Sequence, residues 1–170
     1  MSPSTAPGVT VACAPSESSL PPEVIKAGLM GPRLVTLACY LKGTCHGSYR
    51  TVQSFLSEVL GLNLSVGLLA KAVGKMTAAL HDSYQELTVA LPRQPVLEPT
   101  NNATERQIRF VVLDRKVTQG TKGLIGNLWC ETIWATIATC RQCGKPIFGF
   151  LIDTFNAHIR GKLTPSLIYV

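Results

Sequence analysis

The sequence predicts a mainly α-helical chain. Apolar residues recur at three- and four-residue spacings through most of its length, which is the signature of helices with one buried stripe. Glycines and prolines fall where those stripes stop. Among 170 residues, 46% are hydrophobic and 15% charged, enough apolar material for a core and too little charge for a disordered chain.

Residues 1–31 open with a Pro-, Ser- and Thr-rich run, "MSPSTAPGVTVACAPSESSLPP", which has almost no periodicity and reads as a flexible leader. It has neither a basic start nor a continuous apolar run, so it is not read as a signal peptide. Residues 32–92 form a helical region. Leu34, Leu37, Ala38 and Leu41 lie on one face of a first helix that Gly43 stops. Val52, Phe55, Leu56, Val59 and Leu60 give the most regular stripe in the chain, and Gly61 stands where a left-handed cap belongs. Ser65 can cap a longer helix whose buried side is Val66, Leu69, Val73, Met76, Leu80, Tyr84 and Leu87, closing before Pro92. Two helices joined by a short Gly-containing turn have a helix-turn-helix outline, although any helical hairpin shares it, and Lys71 and Lys75 are the basic residues of the second helix.

Residues 93–99 are a junction, and 100–170 make the second region. Strands are possible in this part only at 108–113 and in the tail. After the glycine-punctuated loop "TKGLIGN", the residues Ile125, Leu128, Trp129, Ile133, Ile137 and Cys140 trace a helix that ends at Gly144. Ile147, Phe150, Leu151, Phe155 and Ile159 trace another, ending at Gly161, and "KLTPSLIYV" is a short extended tail. Trp129 and Trp134 are read as packing residues and not as a base-stacking platform.

Charge is uneven. Residues 1–98 carry seven Lys/Arg against six Asp/Glu, a net of +1; residues 99–170 carry nine against four, a net of +5. A basic half points to a polyanion, nucleic acid before membrane, alongside the plainer reading of ordinary surface charge. No apolar run is long enough for a membrane span, and the six cysteines of an unexported chain are read as reduced thiols in a cytoplasmic protein.

Few groups of residues have chemistry-bearing spacing. Cys140 and Cys143 are spaced as half a zinc site, but no second pair exists, so buried structural thiols are the better reading. His46, His81 and His158 have no Ser or Cys nucleophile at a recognisable spacing, and no phosphate-binding glycine motif occurs. Glu105 has two readings. With Asn102 as N-cap it falls at N3 and closes a capping box. Alternatively it is a metal ligand beside Arg106, Arg109, Arg115, Lys116 and Lys122, which would hold a phosphate backbone.

"PTNNATERQIR", then "DRK", "QGTKG", "TIATCRQCGKPIFGFL" and "LTPSL" closely resemble the C-terminal end of the insertion sequence 66 family of transposases. The run "GPRLVTLACYLKGTCHGSYRTVQSFLSEVLGLNLSVGLLAKAV" is similar to the helical region before that family's catalytic core. The resemblance implies an RNase H-like fold and a DNA recombinase of the DDE type, with two Asp and one Glu holding a pair of Mg2+ ions. Glu105 matches the family's glutamate. Both family aspartates, and most of the sheet that carries them, are missing: the helix ending at "ALPRQPVL" runs directly into "EPTNNATER". Asp82, Asp114 and Asp153 do not lie in strands between the matched blocks.

The expectation is therefore an internally deleted, catalytically incompetent transposase with the ends fused near 96–99, its glutamate orphaned and no cofactor of its own. What survives is contact with DNA or with a transposase subunit, either another copy or a full-length relative. The rival is a helical interaction protein that modulates a full-length transposase, and a third reading is an enzyme completed in trans. Loss of the sheet should leave the apolar blocks at 34–91 and 125–159 without their former partner.

Overall fold

A computed structural model describes residues 29–90, 109, 111–112 and 123–168. Five helices make up the described part: α1 Pro32–Gly43, α2 Tyr49–Leu60, α3 Val66–Ala90, α4 Leu124–Gln142 and α5 Ile147–Arg160. No strand occurs among the described residues. Where a strand was possible at 108–113, the described residues Arg109, Val111 and Val112 are helical. The mainly α-helical class expected from the sequence is thus what the described residues have.

Local signals explain most helix ends. Pro32 fixes the first turn of α1, and the Leu34 and Val35 amides close on the Gly31 carbonyl. Ser48 caps α2 by accepting from the Thr51 amide at 3.1 Å. Gly61 ends that helix at φ 67°, and the Leu62 amide returns to the Leu56 carbonyl. Ser65 accepts from the Leu68 amide at 3.2 Å and so starts α3 as the sequence predicts. Helix α3 is described as far as Ala90; its predicted closure at Pro92 lies outside the described residues. Gly144 and Gly161, both left-handed, end α4 and α5.

The apolar blocks did not stay apart. α1 and α3 each touch all four other helices, and α4 and α5 close over them. One core runs through Val35, Cys39, Leu69, Met76, Leu80, Ile133, Ile137, Leu151 and Phe155, so residues from before and after the junction bury one another. The faces expected to be left by a missing sheet are in large part covered by each other.

Several predicted core positions are corrected. In α1 the buried side is Val35, Thr36, Ala38, Cys39 and Gly43, while Leu34, Leu37 and Leu41 are half-buried. Four neighbours crowd this helix, so small residues take the closest contacts. α2 lies at the edge, mainly against α1 and α3, and only Val52 and Leu56 of its stripe are buried. Phe55, Val59 and Leu60 face outward, Val59 with 62% of its surface exposed. Val66 on α3 and Ile125 and Leu128 on α4 are also exposed, and Tyr84 is half-buried.

The tail is a strap. Leu167 is fully buried, Ser83 Oγ donates to the Pro165 carbonyl at 3.1 Å, and Ser166 Oγ donates to Glu86 at 2.7 Å. Lys145 Nζ donates to the Ser166 and Leu167 carbonyls at 3.1 and 3.2 Å. The tail thereby ties α3 to the turn between α4 and α5.

Candidate nucleic-acid interface

Of the residues singled out as DNA contacts, Arg109 alone is described. It is exposed on a helical segment. Arg106, Arg115, Lys116 and Lys122, together with Asn102 and Glu105, lie outside the described residues.

The acids that are described do not gather. Asp82 is exposed on α3 and Asp153 on α5. Among the described residues no three of His, Cys, Asp and Glu come together in a way that could hold a metal ion. The described donors thus do not fit a two-metal centre, and no metal-assisted step can be built on them.

Cys140 follows the reading as a buried thiol, and Cys143 does not. Cys140 is buried at the end of α4 and Cys143 is exposed one turn on, both as free thiols. Burial pushes the Cys140 thiol up to about 11, with Lys145 acting against the shift and Cys143 adding to it. Cys39, fully buried in α1, is raised further by burial, and Lys42 offsets part of that. Lys42 Nζ sits 4.3 Å from the centre of the Tyr49 ring, and burial followed by Cys39 and Cys130 raises the Tyr49 hydroxyl. Cys39 and Cys140 are therefore poorly reactive thiols inside helix contacts. Trp129 is buried and Trp134 packs partly covered against the core, as read from the sequence.

The α2–α3 hairpin forms as the spacing predicts. Its turn borders a polar cleft of about 490 Å³ lined by Gln53, Ser57, Glu58 and Asn63 among others. Two of these side chains hold the turn itself: Gln53 Nε2 donates to the Leu64 carbonyl at 2.7 Å, and Ser57 donates to Asn63 Oδ1 at 2.8 Å. The cleft serves turn geometry and brings no charged cluster to a ligand.

A second cleft, about 360 Å³, opens where α3 meets the end of α5. Lys75, Phe155, His158, Ile159 and Gly161 line it. Lys75 is thus brought beside His158 from the far end of the sequence, a juxtaposition that no spacing reveals. The only signal available in the sequence was the crowding of His158, Arg160 and Lys162 around a helix-ending glycine. No protein-family model, curated protein or solved structure matches the chain.

Proposed function

We propose that this chain is an internally deleted transposase of the insertion sequence 66 type that has lost strand cleavage and joining but still contacts DNA. The observation that carries the reading is the ordered succession "TNNATERQIR", "DRK", "QGTKG", "TCRQCGKPIFGFL" and "LTPSL" across residues 100–167. The +5 net charge of residues 99–170 supports contact with a polyanion. The same resemblance accounts for the loss of catalysis. A metal pair in such an enzyme needs carboxylates converging from separate strands, and the sequence between α3 and Glu105 contains no aspartate. In this reading Glu105 keeps only the capping box that its spacing from Asn102 offers.

The test is direct. Purified protein with Mg2+ or Mn2+ is expected to leave a transposon-end duplex uncut and unjoined, while binding it in a salt-dependent way. Metal-dependent nicking by the wild type that disappears in Glu105→Gln would overturn the reading of this carboxylate.

A second reading draws on α2. Phe55, Val59 and Leu60 form an apolar outer edge that no other described element covers. Such an edge suits a helical partner, and the partner in keeping with the resemblance is an intact transposase subunit. Mixing the chain with a full-length relative should then inhibit strand transfer, and Val59→Lys should relieve the inhibition. Equal inhibition by both proteins would remove this edge as the contact.

A further inference from the structure

We propose that the exposed side of α3 and the last turn of α5 form a second docking surface for DNA, gripping the sugar-phosphate backbone of a duplex through Lys71, Lys75, His158, Arg160 and Lys162. It rests on the DNA-contacting reading above for its choice of ligand, but uses none of the residues named there.

Three observations converge on it. First, Lys71 and Lys75 are both exposed and stand one helical turn apart, on the same side of α3. Second, the fold seats Lys75 at a cleft whose far wall is His158, Ile159 and Gly161, with exposed Arg160 and Lys162 on either side of that glycine. Third, the α3 residues around the lysines are small: Ala70 and Ala78 are exposed and Gly74 is half-buried. Small neighbours let a phosphate ribbon come within reach of an ammonium group. A membrane-binding face would place large apolar residues there, and a single-strand groove would expose aromatic rings for stacking. Phe155, the aromatic residue of the cleft, is buried to 1% and offers no exposed face.

The plainer account of Arg160 is that a cation suits the negative end of the α5 dipole. That account does not reach Lys71 and Lys75, which lie within the length of another helix. None of the three acids on these elements lines the cleft: Asp82 and Glu86 lie about two and three turns beyond Lys75 on α3, Glu86 accepting from Ser166, and Asp153 precedes the last turn of α5. Lys75 and Arg160 each also engage another group of the chain, so Lys71 and Lys162 are the residues to change first.

Binding of a labelled duplex of arbitrary sequence to the full chain is followed by fluorescence anisotropy between about 50 and 200 mM KCl. Lys71→Gln/Lys162→Gln should lower the salt slope by about two, as expected for two lost phosphate contacts, and should do so for an unrelated sequence as well. Lys71→Arg/Lys162→Arg keeps both charges and should bind like the wild type, which separates charge from folding. An unchanged slope in the Gln pair overturns the surface. If Arg106→Gln/Arg109→Gln/Arg115→Gln then abolishes binding, DNA contact survives and only this surface falls. If the wild type does not bind the duplex at all, both readings fall. Stronger capture by phosphatidylserine vesicles than by DNA, lost in the Gln pair, would assign the surface to a membrane and also overturn the proposal.

Discussion

At the end of α1, a Cβ added to Gly43 would stand 2.6 Å from Ile133 Cγ1 on α4 and close to Ile137 as well. The glycine is buried, with Ile133 and Ile137 where its side chain would be, so its lack of a side chain matters for packing and not only for ending α1. Gly43→Ala should destabilise the fold by about 1–3 kcal/mol, because both isoleucines are themselves locked in the core. Chemical denaturation checks it, and an unchanged midpoint would mean that Ile133 can move aside. The buried thiols make a second prediction. Burial raises Cys140 from an ordinary 9.0 to about 11 and raises Cys39 further. Below about pH 9 both folded and unfolded chains hold these protons and stability is flat with respect to them. As pH rises from 9 toward 11 the unfolded chain releases its protons first, so stability falls, by about 1–3 kcal/mol for Cys140 alone. Denaturation midpoints for Cys140→Ala compared with the wild type across that range measure this loss; parallel curves would refute it. The exposed Cys45 and Cys143 should meanwhile react with a thiol reagent in the native protein, and Cys39 and Cys140 only on unfolding.

Among the elements, the tail differs most from what its sequence suggests. "LTPSL" has no helical period and little bulk, yet Leu167 is as buried as any core leucine while Leu163, four residues earlier, is 97% exposed. Leu167→Ala should cost about 2–5 kcal/mol, and Leu163→Ala should change stability by less than about 0.5 kcal/mol. Equal effects in thermal melts would mean that the strap does not hold in solution. The helices show the opposite error. α2 has the most regular apolar stripe and buries least of it, since an edge helix contacts its neighbours along a single line. α4 compensates for its small polar residues internally. Thr132, Thr136 and Thr139 each donate to the carbonyl four residues back, at 2.7, 2.8 and 2.9 Å, so buried hydroxyls cost little there.

For the whole molecule, the decisive feature is that the regions before and after the junction share one core. Leu69, Val73, Met76 and Leu80 on α3 have few other places to bury their side chains than against α4, α5 and α1. The chain should therefore melt in one cooperative transition, and a fragment of residues 29–90 should show little helix by far-UV circular dichroism. A stably helical, cooperatively melting fragment would show that the first region is a domain in its own right. No described helix is long and apolar enough to cross a membrane.

By itself the sequence determined what is local: the helical class, the stop of α2 at Gly61, the cap at Ser65, the stops at Gly144 and Gly161, and the core roles of Trp129, Ile133 and Phe155. These depend on backbone preferences and periodicity within a few residues, which a sequence carries directly. Tertiary structure alone decided which side of α1 is innermost, that α2 keeps half its stripe in the open, that the tail is a strap, and that Lys75 meets His158. Each of these depends on which other helix arrives at a given face, and the free energy of burial belongs to the pair and not to either partner. Of the site read from the sequence, Arg109 is placed, on the surface of a helical segment, while Glu105 and its neighbours fall outside the described residues. A capping box and a metal ligand use the same glutamate at the same spacing, so only the groups that surround Glu105 in space can separate the two.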